Sequence, residues 1–293
     1  MRLLPSERAR LVPSHAVPQS ELERLLSLDP VASVFVAEHV RALRASRARM
    51  ALPVVGVTSG RRARPGARSR GLELSGVCWV GSNVVPVGLD DAGTRVVADH
   101  LMAVRTGRAS FFGPQHEVLA LWEAVRPRWR PPFAIRADQP LMITGAPASI
   151  ESHPEVRVAR AHELPAVLPA SAAMFEEEVG FSPYLEGRET YTRRVRQLID
   201  QQRTFVLMRD DEVVFKADIG AASETVCQIQ GVWVRPEHRG QGLAAPCMAA
   251  VVQLALRRWD TVSLYVNDYN TAAVRTYRRA GFTQRGSFAT VLF

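Results

Sequence analysis

The spacing of apolar and polar residues predicts two successive series of strands and helices. In the first half, DPVASVFVAEHVRALRA predicts a helix that Asp29 caps and that has Pro30 at its first position. The apolar runs GVCWVG and NVVPVG predict two strands joined by a turn at Ser82 and Asn83. A helix over about 90–104, a strand RASFF, a helix HEVLALWEAV and a strand QPLMITG complete this half.

The second half follows APASIESHPE, a segment broken by Pro and Ser that we interpret as a linker. Beyond it, VRVARA predicts a strand, residues 162–180 and 187–202 predict two helices, and RTFVLMRDDEVVFKADIGA predicts a hairpin. The remaining elements alternate between strand and helix: CQIQGVWVRPE, PCMAAVVQLALRRW, TVSLYV, NTAAVRTYRRAG and SFATVLF. This order predicts an α/β fold with a mixed sheet flanked by helices.

Composition agrees with a globular chain of one large domain or two ordinary ones. The sequence has 293 residues, of which 47% are apolar and 23% charged. No apolar run approaches the roughly 18 to 20 residues that span a bilayer, and the first residues lack the apolar core of a secretory signal. We therefore expect a cytoplasmic location and no membrane partner. The three cysteines have neither metal-ligand nor disulfide spacing, so we interpret them as buried thiols and expect no metal.

The charge balance raises the question of nucleic acid. The net charge is +8 and the isoelectric point is near 10.2. Nearly all of the cations are arginines, and many lie in residues 41–70, where RRARPGARSRG predicts a solvated loop. A nucleic-acid partner is therefore not favoured. Lys216 is the only lysine in the sequence.

The segment GVWVRPEHRGQGLAAP carries the clearest chemistry. It begins as a strand and passes through a loop with two glycines, Gly240 and Gly242, into a helix. Glycines allow backbone N–H groups to turn inward, and a helix N-terminus adds aligned donors with partial positive charge. Arg239 adds a full charge. The segment therefore predicts a pyrophosphate site, although it is neither a GxGxxG motif nor a P-loop.

This segment resembles the cofactor signature of the GNAT superfamily of N-acetyltransferases, [Q/R]-x-x-G-x-[G/A]. Arg239, Gly242 and Ala244 meet that pattern. Downstream, LYVNDYNTAAVRTYRRAGF resembles the strand, the N-x-x-A helix and the Y-x-x-x-G-F end of the same family. The matching residues are Asn267, Asn270, Ala273, Tyr277, Gly281 and Phe282. On these motifs residues 155–293 are identified as a member of the family.

The resemblance implies a GNAT fold and acetyl-CoA, or another acyl-CoA, as co-substrate. Strand Gln230–Val234 should diverge from Val262–Val266, so that pantetheine amides pair with Val232 and Val234 like an added strand. The resemblance implies two further sets of cofactor contacts. The pyrophosphate would bind to the backbone of Arg239, Gly240, Gln241, Gly242, Leu243 and Ala244. The other contacts would come from Asn267, Asn270 and Tyr277. Asn270 also suits the N-cap of the last helix.

The resemblance also implies direct attack of a primary amine on the thioester in a ternary complex. The N–H of Val232 or Trp233 would hold the oxyanion, and Tyr277 would protonate the departing thiolate. A packed tyrosine is the alternative interpretation of Tyr277.

The general base is left open. Many GNAT enzymes carry a glutamate on the diverging strand, but this strand has Gln228 and Gln230, whose amides cannot accept a proton at neutral pH. The candidates elsewhere are Glu176, Glu177, Glu178, Asp218 and Glu224, and a base that acts through water also fits. Of these, Glu178 and Asp218 are the predicted catalytic carboxylates. Lys216 and Asp218 share one face of a strand.

The first half repeats the element order of the second but lacks its glycine loop. We interpret residues 1–150 as a degenerate GNAT-like domain that does not bind CoA well, and residues 155–293 as the catalytic domain. This tandem arrangement is similar to that of mycothiol synthase, and the whole chain resembles actinobacterial two-part GNAT proteins.

Three functions are consistent with the sequence. The main hypothesis is an N-acetyltransferase acting on a small-molecule or peptide amine. The alternatives are a tandem enzyme like mycothiol synthase and a non-catalytic acyl-CoA-binding regulatory protein. The acceptor and the oligomeric state stay open.

Overall fold

A computed structural model describes residues 9–45, 52–58, 72–104 and 107–293. The predicted Arg-rich loop RRARPGARSRG lies outside these residues. The chain forms two compact units, Met1–Pro140 with Gly286–Phe293, and Leu141–Arg285. The sequence-based division at 150–155 lies C-terminal to this boundary, and it groups residues 286–293 with the second half.

The first unit contains four helices and five complete strands in its described part. The helices are α1 (Gln19–Leu28), α2 (Val34–Ala45), α3 (Asp91–Val104) and α4 (Gln115–Val125). The strands are β1 (Arg10–Val12), β2 (Val54–Thr58), β3 (Gly76–Val80), β4 (Asn83–Val87) and β5 (Ser110–Pro114). The predicted pair of strands around Ser82 and Asn83 is confirmed as antiparallel β3 and β4.

The second unit carries the other helices. These are α5 (Leu164–Val179), α6 (Arg188–Asp200), α7 (Ala244–Ala255) and α8 (Thr271–Arg279). Its complete strands are β7 (Arg157–Val158), β8 (Thr204–Arg209), β9 (Glu212–Ala222), β10 (Val226–Val234) and β11 (Thr261–Tyr265). Two further strands cross the boundary between the units, β6 (Ala134–Thr144) and β12 (Thr283–Leu292).

The two units share one strand order, and each ends on a strand from the other half of the sequence. The first runs β1-β2-β3-β4-β5-β12 and the second β7-β8-β9-β10-β11-β6. In both, the central parallel pair, β4–β5 or β10–β11, is flanked by antiparallel pairs. The strand after α4 thus lies beside β11 of the second unit, and the strand after α8 lies beside β5 of the first unit. The predicted repeat is present, with its last strands exchanged.

The sheet of the second unit buries both faces. Phe215, Ala217 and Ile219 on β9 pack in the cluster that includes residues of α7 and α8. Val206 and Trp233 lie on the opposite face, in a cluster with residues of α5 and α6. Because side chains alternate along a strand, β8, β9 and β10 each supply both clusters. The cysteines, Cys78, Cys227 and Cys247, are free and buried.

Two sequence-based expectations for the first unit were wrong or incomplete. The predicted helix begins at Val34, so Asp29 does not cap it; Asp29 follows α1, and its Oδ1 accepts the N–H of Ala32 at 3.0 Å. Helix α1 was not predicted, although Leu22, Leu25 and Leu26 have the spacing of one helix face and are buried.

Candidate functional site

The candidate site begins where β10 leaves its parallel neighbour. Strand β10 pairs with β11 from Val226↔Thr261 to Gln228↔Ser263, whereas β10 itself continues to Val234. The N–H of Arg235 donates to Val214 O of the preceding strand at 2.8 Å. Since N–H groups alternate sides along a strand, the N–H of Val234 points away from β9, towards the open side.

The loop after β10 has the backbone of an anion site. Gly240 and Gly242 have φ of +74° and +78°, which glycine adopts without strain. A Cβ at either position would meet nothing within 4 Å, so the loop opens to free space. Helix α7 begins directly after it at Ala244, and the first N–H groups of a helix have no partner within the helix. This arrangement can hold a phosphate group.

Arg239 is anchored from two sides. Its Nε donates to Val234 O at 2.8 Å, and its Nη2 donates to both carboxylate oxygens of Glu177 at 2.9 and 2.8 Å. The same Glu177 accepts the indole N–H of Trp233 at 3.1 Å. Helix α5 is therefore tied to the end of β10 and to the loop. Glu177, one of the candidate bases in the sequence, therefore lies beside the loop arginine.

Tyr277 lies in the core on α8. It is 8% exposed, and its ring meets Phe282 edge-on at 6.0 Å between centroids. Burial raises the pKa of the phenol, and the charge of Glu178 raises it further. Glu178, another predicted catalytic residue, lies on α5.

Asn270 is the N-cap of helix α8, as the sequence predicts. Its Oδ1 accepts the N–H of Ala273 at 3.1 Å as the N-cap of α8, and its own N–H donates to Asn267 O at 2.9 Å. The two asparagines thus shape the turn between β11 and α8.

Lys216 and Asp218 form a buried ion pair on β9. They are 0% and 5% exposed, and Lys216 Nζ lies 2.5 Å from Asp218 Oδ2. The ammonium also donates to Gly231 O of β10 at 3.1 Å. Gly231 has φ of +59° and lies in an irregularity of the β9–β10 register, between Gln230 and Trp233.

The glutamines of β10 differ in environment. Gln228 is buried, whereas the exposed Gln230 lies across Gly220, where an added Cβ would come within 2.1 Å of its Cδ. Glu224 lies in the turn between β9 and β10, at the end of β10 remote from the loop, so the structure does not bring it to the candidate site.

Two family models match the chain in succession. Residues 66–167 match a domain of unknown function, DUF4081, and residues 171–282 match the acetyltransferase (GNAT) family. Among the described residues, no helix is long and apolar enough to cross a membrane.

Curated relatives match in short segments. A mycothiol acetyltransferase of Thermobispora bispora is 42% identical over 69 residues, which make up 23% of either chain. One of Streptomyces griseus is 37% identical over 93 residues, 31% of this chain and 30% of the relative. The aligned segments span less than a third of each relative.

A solved structure extends the likeness to both halves. An acetyltransferase from the GNAT family of Colwellia psychrerythraea superposes with a TM-score of 0.57 and 14% identity. The superposition covers 98% of this chain and 99% of that one. At this identity the likeness shows a shared fold.

Proposed function

We propose that this chain is an acyl-CoA-dependent N-acyltransferase that transfers an acetyl group from acetyl-CoA to a primary amine, because residues 171–282 match the model of the acetyltransferase (GNAT) family. The observation that carries the proposal is the open side of β10, which leads directly into the glycine loop and α7. The acceptor is a small-molecule or peptide amine, and we expect the reaction in the cytoplasm.

The backbone of this segment fits the cofactor. Val232 and Val234 would pair with the pantetheine amides, since the N–H of Val234 points away from β9. The backbone from Arg239 to Ala244, comprising Gly240, Gln241, Gly242 and Leu243, would hold the pyrophosphate, because the space above the glycines is open. Asn267 and Asn270 would contact the cofactor from the turn after β11.

The proposed chemistry is direct attack of the amine on the thioester. Of the two candidate oxyanion donors, Val232 is the better one, because the N–H of Trp233 shares the β9 side with that of Arg235. Tyr277 would give its proton to the departing sulfur, since a phenol is uncharged and able to donate at neutral pH.

Two carboxylates compete for the role of base. Glu178 is supported by its electrostatic interaction with Tyr277. Asp218 is supported by its burial beside the Gly231 irregularity of β10 and by an Oδ1 that has no hydrogen-bond partner.

Two alternatives have specific support. The names of the curated relatives support a mycothiol-acetyltransferase-like enzyme with two GNAT-like halves. The glutamines at 228 and 230, together with the engagement of Arg239 by Glu177, support a non-catalytic acyl-CoA-binding regulator.

Acetyl-CoA binding tests the proposal. At about 100 times its dissociation constant, acetyl-CoA should stabilise the chain by about 2.7 kcal/mol, measured as a rise in melting temperature. Gly242→Glu should abolish that rise, because the carboxylate would repel the phosphates. Gly180→Glu is the matched control: Gly180 has φ of +90° and the same open surroundings, but lies at the end of α5. A melting temperature that acetyl-CoA leaves unchanged in the wild type would refute the proposal.

A further inference from the structure

A row of polar side chains is buried on the α5/α6 face of the second sheet. Phe205, Ala217 and Ile229 point into the opposite cluster, so the residues that alternate with them point towards α5 and α6. The row consists of Thr204, Lys216, Asp218 and Gln228, which are 0%, 0%, 5% and 7% exposed. Thr204 and Asp218 are direct partners across β8 and β9, which places their Cβ atoms about 5 Å apart.

Three members of this row have an atom without a hydrogen-bond partner. These atoms are Thr204 Oγ1, Asp218 Oδ1 and Gln228 Nε2, and the described part of the chain contains one other such atom, in Arg108. Each unpaired buried polar atom costs about 1–3 kcal/mol, so folded proteins rarely leave such atoms without a partner. Their concentration on one face indicates a place for polar groups of a ligand.

The row borders the diverging part of β10. A Cβ on Gly231 would lie 2.9 Å from Met174 Cε, 3.1 Å from Asp218 Oδ2 and 3.3 Å from Lys216 Nζ. Lys216 therefore holds one oxygen of Asp218 against the irregularity of β10 and leaves the other oxygen unpartnered. The groups around Asp218 are Lys216 on its own strand and its cross-strand partners Thr204 and Gln230. From α6 comes Tyr191, whose pKa is raised by burial and by the Asp218 charge.

Resting on the proposed function, we infer that Asp218, Thr204 and Gln228 form the acceptor subsite, and that the acceptor is a primary amine with a carbonyl or hydroxyl oxygen next to its nitrogen. Asp218 Oδ1 accepts an N–H of the amine. Gln228 Nε2 can only donate, so it requires an oxygen acceptor, and the Thr204 hydroxyl can serve either group. Since Lys216 neutralises Asp218, the subsite selects the uncharged amine, which is the nucleophilic form.

Asp218 and Tyr277 account for both protons that move in the reaction. The nitrogen forms a bond to the thioester carbon while the carbon–sulfur bond breaks. The amine proton passes to Asp218 Oδ1, and the phenol proton of Tyr277 passes to the sulfur, so the products are an amide and a free thiol. A proton returned from Asp218 to the phenolate through solvent restores both residues. Lys216 acts as a positioning residue, because it touches Asp218 and not the reacting atoms.

Matched amines test the substrate class. Ethanolamine and propylamine have the same number of heavy atoms, and their rates of thiol release from acetyl-CoA are compared per concentration of uncharged amine. We expect kcat/KM to favour ethanolamine by about tenfold or more, because a buried donor left unpaired disfavours propylamine. Gln228→Leu should remove this preference through KM, and Asp218→Asn should lower kcat with both amines.

Stability supplies a second measurement, independent of turnover. Thr204→Val removes an unpartnered hydroxyl and should raise the melting temperature of the free chain. The matched control is Thr290→Val, which removes a hydrogen bond donated to Gln139 Oε1 at 2.6 Å and should lower it. A loss of stability in Thr204→Val would show that its hydroxyl is satisfied within the fold and would overturn the subsite.

The outcomes separate this inference from the proposed function. If acetyl-CoA raises the melting temperature but propylamine reacts as fast as ethanolamine, or neither amine reacts, the subsite is overturned and the cofactor site stands. A preference that survives Gln228→Leu also overturns it. If acetyl-CoA has no effect on melting, the proposed function fails, and the subsite fails with it.

Discussion

Replacing Lys216 with methionine removes the charge of a fully buried ammonium group but keeps an unbranched side chain. The change deletes the contacts of Nζ with Asp218 Oδ2 at 2.5 Å and with Gly231 O at 3.1 Å. It leaves the Asp218 carboxylate, 5% exposed, without its counter-charge. Removing one partner of a buried ion pair typically costs about 3–5 kcal/mol. At about 2–4 °C per kcal/mol for a chain of this size, the melting temperature should fall by about 6–20 °C.

A double-mutant cycle isolates the pair. Lys216→Met combined with Asp218→Asn should cost less than Lys216→Met alone, because the amide carries no charge, and the interaction energy should be about 1–3 kcal/mol. Urea unfolding followed by circular dichroism gives the free energies. The control is Arg209→Met, which breaks an ion pair with Glu155 whose side chains are 53% and 58% exposed and should cost at most about 1 kcal/mol. Equal losses in Lys216→Met and Arg209→Met would refute the burial of the pair.

Two further predictions concern Tyr277 and Glu117. Tyr277→Phe should lower kcat and kcat/KM together, by about 100-fold or more, while acetyl-CoA affinity by calorimetry stays the same; full activity would make Tyr277 a packed aromatic. Glu117 is 6% exposed and accepts the N–H of Leu89 at 2.9 Å, and burial raises the pKa of its carboxyl group. The protonated group therefore stabilises the fold at a pH below its ordinary pKa, and this contribution is lost as the pH rises through the pKa of the folded state. Glu117→Gln should therefore be more stable than the wild type near neutral pH, with a difference that shrinks in acid; a difference independent of pH in urea titrations would contradict this.

Local features of the site could be predicted from the sequence. The loop around Gly240 and Gly242 depends on neighbouring residues, and the shared face of Lys216 and Asp218 follows from the period of a strand. The predicted α/β class with a GNAT fold is confirmed. It could be predicted because each strand and helix of the second half has a local pattern of apolar residues.

Long-range features could not be predicted in this way. The ion pair of Arg239 with Glu177 joins residues 62 positions apart, and nothing in the acidic run distinguishes Glu177 from its neighbours. The irregularity at Gly231, which brings its carbonyl to Lys216, depends on the register between two strands. The partners of β6 and β12 could not be predicted either, because the pattern of a single strand does not say which distant strand pairs with it.

The exchange of β6 and β12 constrains how the chain can be made and divided. During synthesis the first unit cannot complete its sheet until residues 286–293 leave the ribosome, so its folding must wait for residues far beyond residue 140. A fragment that ends near residue 150 would expose the edge of β5, and an isolated second half would lack β6 beside β11. Deleting residues 286–293 would therefore damage the first unit, and neither half is a natural unit for separate expression.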